Sequence, residues 1–192
     1  MTANQRSKHP LPFNSLADFK HATESIKMKI RPLEKKDLPY IYQQENSRKV
    51  MALWFQEAYT SFDELELLYD RHVLDQTERR FVVEDDKQFI GVVELMYIDG
   101  LHRHTEIQII IHPDHQGNGY AQAAIKAGVE YAFKVLNMHK VYLYVDIDNN
   151  AAIHIYKKVG FIEEGILRGH FFAEGQYHDS MMMGMLATEF VS

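Results

Sequence analysis

The sequence of 192 residues predicts an α+β fold, and the order of its hydrophobic patterns is the reason. A largely helical stretch precedes Arg79, the period of the hydrophobic pattern changes to two residues there, and helical spacing returns after Pro113. Because apolar residues recur every 3.6 positions in helices and every two in strands, three strands follow the helices directly. Helices and strands alternate only after these strands, which favours a mixed, mostly antiparallel sheet flanked by helices over a doubly wound one.

Residues 1–25 are predicted to form an irregular extension, because prolines and polar residues break any period, with a short helix near Leu16–His21. The folded domain is predicted to span residues 26–192 and to begin with an edge strand at Ile26–Leu33. The elements expected after it are helices at 36–45 and 61–73, strands at 80–84, 89–98 and 105–112, a helix at 119–136, a strand at 141–145, a helix at 150–159, and strands at 161–167 and 181–186.

Two local signals fix boundaries in this order. Ser61 and Glu64 have the spacing of a capping box, which places the start of the second helix. Polar residues at Asp85–Lys87 and Asp99–Gly100 predict the turns between the three successive strands.

The composition excludes several classes of protein. With 21 Lys+Arg against 27 Asp+Glu the net charge is −6, whereas a nucleic-acid binder needs clustered cations; a cationic small molecule suits this chain better. The absence of cysteine rules out disulfides, thiolate nucleophiles and cysteine-ligated zinc. Met1–Pro10 has no apolar signal-peptide core, and no segment approaches the roughly 20 apolar residues of a membrane helix. A cytoplasmic location is therefore expected.

A glycine-rich loop joins the third strand of the run to the helix at 119–136. Gly117 and Gly119 allow backbone amides to turn inward, and the helix N-terminus adds a partial positive charge, so the loop can hold an anion without a lysine. It is not a P-loop, which would need Gly-Lys-Ser/Thr. A plain strand-to-helix turn that requires glycine is the alternative.

The run Gln116-x-x-Gly119-x-Ala121 resembles the acyl-CoA pyrophosphate loop of the GCN5-related N-acetyltransferases, or GNAT family. The resemblance implies the GNAT fold, a sheet splayed around an acetyl-CoA slot, with acetyl-CoA as cosubstrate. It also implies that loop amides hold the pyrophosphate and that the preceding strand bonds the pantetheine arm and thioester. The expected acetyl-CoA contacts are Ile109, Ile110, Ile111, Gln116, Gly117, Asn118, Gly119, Tyr120, Ala121, Gln122, Asn149, Ala152 and Lys158.

A second signature, Asn149-x-x-Ala152-Ile153-x-x-Tyr156-x-x-x-Gly160-Phe161, resembles the last helix and strand of that family. The resemblance makes Tyr156 the catalytic acid that protonates the departing CoA thiolate, which is a chemically reasonable task for a positioned phenol. The alternative is that Tyr156 only packs its helix on the sheet.

From about Ile26 to Leu186 the chain also resembles the bacterial spermidine N-acetyltransferases. This resemblance implies acetyl transfer to a primary amine of spermidine or spermine, serving polyamine detoxification or homeostasis, in a homo-oligomer that is a dodecamer. The segments that carry it are Arg31-Pro-Leu-Glu, Trp54-Phe55, Leu68-Tyr-Asp-x-His72, Glu78-Arg-Arg-Phe-Val-Val-Glu84, His102-Arg103, Glu106-x-Gln-Ile-Ile-Ile111, Gln116-Gly-x-Gly119, Ile153-His-Ile-Tyr156 and Glu174-Gly-Gln-Tyr177.

Glu106 and Gln108 fall on one face of a strand whose other face is apolar. Polar groups there suit an ammonium that must dock and lose a proton, so both are candidate acceptor-site residues and Glu106 a catalytic one. Whether Glu106 binds the amine or relays its proton stays open, and a solvated strand residue is the alternative.

The spermidine-acetyltransferase resemblance further implies an allosteric polyamine site between subunits. Its expected residues are Met51, Gln56, Glu64, His72 and Asp75. On a continuous helix Glu64 and Asp75 would lie within about 20° of each other. A solvated helix face is the alternative.

The chain departs from this family where Gln56 and Tyr97 occupy positions at which family members carry a cation-binding glutamate pair. Because neutral side chains bind hard cations poorly, no metal is expected there, and polyamine activation is expected to be weaker or altered. Four histidines lie close together in the sequence, at positions 102, 104, 112 and 115. No metal centre is expected there either, since no carboxylate or cysteine completes a convincing ligand set.

Two rival functions remain open at this stage. The same fold could acetylate a protein N-terminus or an aminoglycoside, or the chain could be a non-catalytic sensor of CoA or polyamine. The sequence does not choose the acetylated nitrogen, the general base or the number of subunits.

Overall fold

The computed structural model describes residues 27–54 and 56–191 of the chain. Its strands are β1 (Lys29–Pro32), β2 (Arg79–Asp85), β3 (Gln88–Asp99), β4 (His104–Ile111), β5 (Lys140–Asp146), β6 (Ile162–Ala173) and β7 (Gln176–Leu186). Its helices are α1 (Leu38–Glu45), α2 (Arg48–Leu53), α3 (Phe62–His72), α4 (Tyr120–Lys134) and α5 (Asn150–Val159), with short 3-10 turns at Lys35–Asp37 and Pro113–His115.

The strands form one seven-stranded sheet in the order β1-β2-β3-β4-β5-β7-β6. The β4–β5 pair is parallel and every other pair is antiparallel. This mixed, mostly antiparallel sheet with flanking helices confirms the predicted fold class. The parallel pair at its centre requires a long connection, which α4 supplies.

Tight hairpins hold the two antiparallel halves of the sheet. Asp86 and Lys87 between β2 and β3 have φ angles of 44° and 67°, and Glu174 and Gly175 between β6 and β7 have 51° and 88°. Two consecutive residues with positive φ match the twist of antiparallel strands in a two-residue turn. The first of these turns lies where the sequence predicts it.

Each face of the sheet has its own apolar core. On one face α4 and α5 cover β3, β4, β5 and β7, through buried residues that include Val93, Ile107, Val129, Leu143 and Met183. On the other face α1–α3 cover only β2–β4, through buried residues that include Leu38, Met51, Leu65, Val82 and Ile110. Side chains of β5 on that second face, among them Tyr142 and Tyr144, are therefore only partly buried.

Several element boundaries differ from the prediction. Helix α2 is absent from the predicted elements, because six residues are too few to show a helical period. Strands β6 and β7 start or end well beyond their predicted limits, because β6 is exposed along most of its length and lacks an apolar alternation. The predicted extension at 1–25 and its short helix lie outside the described residues.

The structure contradicts the predicted pairing of Glu64 and Asp75 on one helical face. Ser61 Oγ accepts the Glu64 N–H at 3.1 Å, as an N-cap does, but α3 ends at His72. Asp75 lies beyond the helix, where its carboxylate accepts hydrogen bonds from the N–H and hydroxyl of Thr77 at 2.7 Å each. An aspartate that bonds its own turn favours a loop over a further helical turn.

Within residues 27–54 and 56–191, no helix has both the length and the apolar character needed to cross a membrane.

Replacement of Gly91 by alanine tests the close approach of β3 to β4. A Cβ atom at this position would overlap the carbonyl oxygen of Ile110, whereas a Cβ at Gly165 of β6 meets nothing within 4 Å. We expect Gly91→Ala to lower the free energy of unfolding by about 2–3 kcal/mol, because the strands must separate to admit it. In urea unfolding followed by circular dichroism, Gly165→Ala is the control; equal stability of the two variants would contradict the packing described.

Candidate active site

The centre of the sheet opens because β4 and β5 stay paired for only three residues. Pairing runs from His104 with Lys140 to Glu106 with Tyr142 and then stops. Beyond that point β4 continues along β3 as far as Ile111, and β5 continues along β7 as far as Asp146. Since each strand follows its outer neighbour, a wedge-shaped slot separates their last residues.

The slot contains a cavity of about 560 Å³. Of the residues expected to contact acetyl-CoA or the acceptor, many share this one lining: Glu106, Gln108, Ile109, Ile111, Gln116, Gly117, Gly119, Tyr120, Ala121, Gln122, Asn149, Ala152 and Tyr156. Glu106 and Tyr156, which are fifty positions apart in the sequence, thus line one cavity.

The glycine-rich loop forms the open end of the cavity. Gly117 and Gly119 both have φ of 83°, a left-handed conformation that a side chain would strain. Gln116 fixes the loop by donating from Nε2 to the Ile111 carbonyl at 3.1 Å. Gly119 is the N-cap of α4 and offers no side-chain cap, and the first helical turn faces the cavity. Amides of this turn have no intrahelical partner, so they can bind an anion.

Tyr156 reaches the cavity from α5. Asn149 is the N-cap of this helix, and its side-chain oxygen accepts the Ala152 N–H at 3.1 Å, so the sequence signature sets the position of the helix. The Tyr156 ring packs edge-on against Phe161 at 6.0 Å. Burial raises the pKa of Tyr156 to about 12. Its hydroxyl therefore remains a proton donor at neutral pH.

Glu106 and Gln108 lie at the closed end of the slot, on one face of β4 as expected. Gln108 Nε2 donates to Glu106 Oε1 at 2.7 Å. Burial raises the pKa of the Glu106 carboxyl, and the hydrogen bond from Gln108 and the charge of His170 offset part of that shift. A carboxylate destabilised by burial takes up a proton more readily than an exposed one.

The structure adds residues that the sequence analysis did not assign to the site. Trp54 lines the cavity, and its indole Nε1 donates to the Ile109 carbonyl at 3.0 Å, 55 positions away in sequence. His115 and Tyr144 also line it. Nothing local in the sequence predicts that Tyr144 lines the cavity or that Trp54 contacts β4.

Three expected acetyl-CoA contacts lie outside the cavity lining. Ile110 points to the opposite face of β4 and is buried beneath α1–α3. Asn118 turns its amide back to the His115 carbonyl at 3.3 Å, and Lys158 is exposed near the end of α5. Ile110 lies away from Ile109 and Ile111 because consecutive residues of a strand alternate between faces. Contact of these three residues with acetyl-CoA stays a prediction.

The residues expected at an allosteric site have separate surroundings in this chain. Met51 is buried in the core beneath α1–α3, whereas Gln56 and Glu64 are exposed. His72 Nδ1 lies 2.7 Å from Glu78 Oε1, and Glu78 also pairs with Arg80 at 3.1 Å.

The four histidines at positions 102, 104, 112 and 115 form two separate pairs. The rings of His102 and His104 are 5.9 Å apart, and those of His112 and His115 are 5.8 Å apart. In the part of the chain that the structure describes, one group of three possible metal ligands has its ligand atoms within 4.8 Å of one another, and none of its members lines the cavity. Its members are Asp146, Asp148 and His178.

Comparison with known proteins agrees with this geometry. The GNAT acetyltransferase domain family matches residues 27–162. Spermidine N(1)-acetyltransferase of Vibrio cholerae is 48% identical over 164 residues, which are 85% of this chain and 95% of that protein.

Two solved structures of Vibrio cholerae spermidine N-acetyltransferase have the same fold. One, in complex with CoA and spermine, matches with a TM-score of 0.85 at 47% identity and covers 86% of this chain and 99% of that one. The other, a dodecamer, matches with a TM-score of 0.76 at 46% identity and covers 84% and 95%. With its splayed sheet, its glycine loop and this similarity over most of its length, the chain belongs to the spermidine N-acetyltransferases of the GNAT family.

Proposed function

We propose that this chain transfers the acetyl group of acetyl-CoA to a primary amine of spermidine or spermine. The observation that carries the proposal is the single cavity that has an anion-binding loop at its open end and the Glu106–Gln108 pair at its closed end. Ile111 is five residues from Glu106 along β4, a distance of about 17 Å at the rise of a strand. The slot thus offers an extended path between a pyrophosphate site and an ammonium site.

The strand itself supplies the electrophilic part of the site. The Ile109 carbonyl faces the slot, where it accepts the Trp54 indole N–H. In an antiparallel strand the N–H and C=O of one residue point to the same edge, so the Ile109 N–H also faces the slot. It would donate to the thioester carbonyl oxygen, where negative charge develops during attack by the amine.

Proton transfers complete the reaction. An ammonium substrate and acetyl-CoA become an acetamide, a thiol and one released proton. Glu106 would accept the proton that the ammonium loses before attack, and Tyr156 would donate a proton to the departing thiolate. The raised pKa values of both groups suit these roles, since one carboxylate gains basicity and one phenol stays protonated.

Among the rival acceptors, a polyamine fits best. Glu106 alone would suit any amine, but the relatives that are 48% identical over most of this chain are spermidine acetyltransferases. A sensor without turnover would not need a protonated phenol in the cavity wall. Acetylation removes one positive charge from the polyamine, which would weaken its binding to nucleic acids and suits detoxification or homeostasis.

We also propose that the enzyme works as a homo-oligomer, a dodecamer like the relative's, with residues 26–192 as its acetyltransferase domain and the cytoplasm as its location. Apolar side chains on the β6–β7 hairpin support assembly: Ile166 is 57% exposed, Phe172 60% and Tyr177 73%. Phe172 and Tyr177 contact each other at 5.3 Å between ring centroids, and exposed apolar surface of this kind favours contact with a further copy of the chain. A chain without cysteine is compatible with the reducing cytoplasm.

A thiol-release assay with acetyl-CoA tests the substrate assignment. Spermidine, spermine, an aminoglycoside and a peptide with a free N-terminus are offered in parallel at neutral pH. We expect turnover with the two polyamines, since Glu106 lies where an ammonium would dock. Turnover with only the aminoglycoside or the peptide would contradict the polyamine assignment and leave the acetyltransferase chemistry in place.

Tyr156→Phe removes the proposed acid and keeps the ring. We expect kcat for spermidine to fall about 10²–10³-fold, which is the usual contribution of a positioned acid. The dissociation constant of acetyl-CoA, measured by calorimetry, should change less than twofold. Tyr59→Phe, at a tyrosine that is 79% exposed, is the matched control. Unchanged kcat in Tyr156→Phe would leave the ring with a packing role only.

Glu106→Gln tests the proposed base through the pH dependence of kcat/KM. A base is active only when ionised, so activity should fall as the pH drops through the pKa of Glu106, above the ordinary value of a glutamic acid. We expect Glu106→Gln to lower kcat/KM for spermidine about 10²-fold or more and to abolish this acidic limb. Glu130→Gln, at an exposed glutamate paired with Lys134, should keep it. An unaltered limb in Glu106→Gln would assign the base to another group.

A further inference from the structure

Five aromatic rings form a continuous row beside the closed end of the slot. The ring centroids of consecutive members are 5.9, 5.9, 5.8 and 5.1 Å apart. In order, the members of this aromatic row are His102, His104, Tyr142, Tyr144 and His170. The row combines loop and strand residues that are far apart in the sequence. The register of the sheet brings them together, and no single sequence motif contains them.

The aromatic row lies on the same face of the sheet as the acceptor residues. His104 alternates in step with Glu106 and Gln108 along β4, and Tyr142 is the register partner of Glu106 on β5. This is the face that α1–α3 leave uncovered beside β5, where both tyrosines are partly exposed. Tyr142 therefore lies beside Glu106 on this face, next to the cavity lining that includes Tyr144.

Carboxylates lie at two points along the row. Burial and the nearby Glu106 raise the pKa of Tyr142 to about 12. At the other end, Asp99 Oδ2 lies 4.0 Å from His104 Nε2, and hydrogen bonds from the backbone N–H groups of His102 and Leu101 lower the pKa of Asp99. Ionised Asp99 thus adds negative potential where the row ends.

We propose that Tyr142, His104 and His102 form a binding subsite for the part of the polyamine that is not acetylated. The faces of aromatic rings attract ammonium groups, and the apolar surface of the rings can pack against the methylene spacers between them. Spacers of three or four carbons separate polyamine nitrogens by about 5–6 Å at ordinary bond lengths, which matches the ring spacing. The subsite rests on the proposed function, because it takes the distal nitrogens of an amine whose first nitrogen is at Glu106.

The subsite would make the enzyme selective for long polyamines. A short diamine can satisfy Glu106 but places no second nitrogen beyond Tyr142, whereas spermine extends over several rings towards Asp99. Because the Tyr142 ring holds a cation without forming an ion pair, the product can leave once one charge is lost on acetylation. Selectivity would then appear in KM rather than in the chemistry of acetyl transfer.

Substitution of Tyr142 separates the aromatic contribution from the hydroxyl contribution. We expect Tyr142→Leu to raise KM for spermine about tenfold, with less than a twofold change in KM for 1,3-diaminopropane. Tyr142→Phe, which keeps the ring, should stay within twofold of the wild type for both amines. Tyr59→Leu, outside the row and at a tyrosine that is 79% exposed, is the control. An equal rise for the two amines, or an equal effect of leucine and phenylalanine, would overturn the proposal.

Thermal unfolding would show whether Tyr142→Leu has a folding defect, and substitution of His104 tests the subsite independently of that variant. His104 Nδ1 is buried without a hydrogen-bond partner, so His104→Leu costs no hydrogen bond at that atom. His104→Leu should also raise KM for spermine selectively, and His104→Phe should restore it.

Calorimetric binding of spermine and 1,3-diaminopropane to the enzyme with CoA distinguishes failure of the proposed function from failure of the aromatic subsite. Absence of turnover by the wild type would defeat the proposed function, yet a selective loss of spermine affinity in Tyr142→Leu would still support the subsite. Turnover of spermidine together with unaltered spermine affinity in both leucine variants would defeat the subsite alone.

Discussion

The short pairing of β4 with β5 is the constraint on which the rest of the site depends. Three paired residues hold the two halves of the sheet together, and each strand then follows a different antiparallel partner. A fully paired β4 would direct the Ile109 carbonyl and its neighbours into a ladder and leave no cavity. Helix α4 connects the two strands and packs on β3 and β4 through Gly128, where a Cβ would come within 2.7 Å of Val93 Cγ1.

The two faces of the sheet differ in how fully helices cover them. The face under α4 and α5 carries the larger apolar core and also presents the first turn of α4 and Tyr156 of α5 to the slot. The opposite face is covered only over β2–β4, so the alternation of β5 leaves its tyrosines beside the acceptor residues. An incomplete layer of helices is thus what keeps the amine side of the site open.

Much of this arrangement could be predicted from the sequence, because it depends on local spacing. The glycine loop, the N-cap of α5 and the shared face of Glu106 and Gln108 each follow from residues within a few positions of one another. What the sequence could not supply depends on long-range register. Ile110 was grouped with its neighbours although alternation turns it away, and the contact of Trp54 with Ile109 joins segments that only the fold brings together. The supposed pairing of Glu64 with Asp75 failed because a hydrogen-bonded turn ended the helix early.

Trp54 can also report on whether the slot is occupied. It is the single tryptophan of the chain, and its indole is bonded to the strand edge that lines the slot. Its environment must therefore change in polarity and hydrogen bonding whenever a molecule displaces water from that edge. The protein thus contains an intrinsic fluorescent reporter of slot occupancy, located at one known carbonyl and free of background from any other indole.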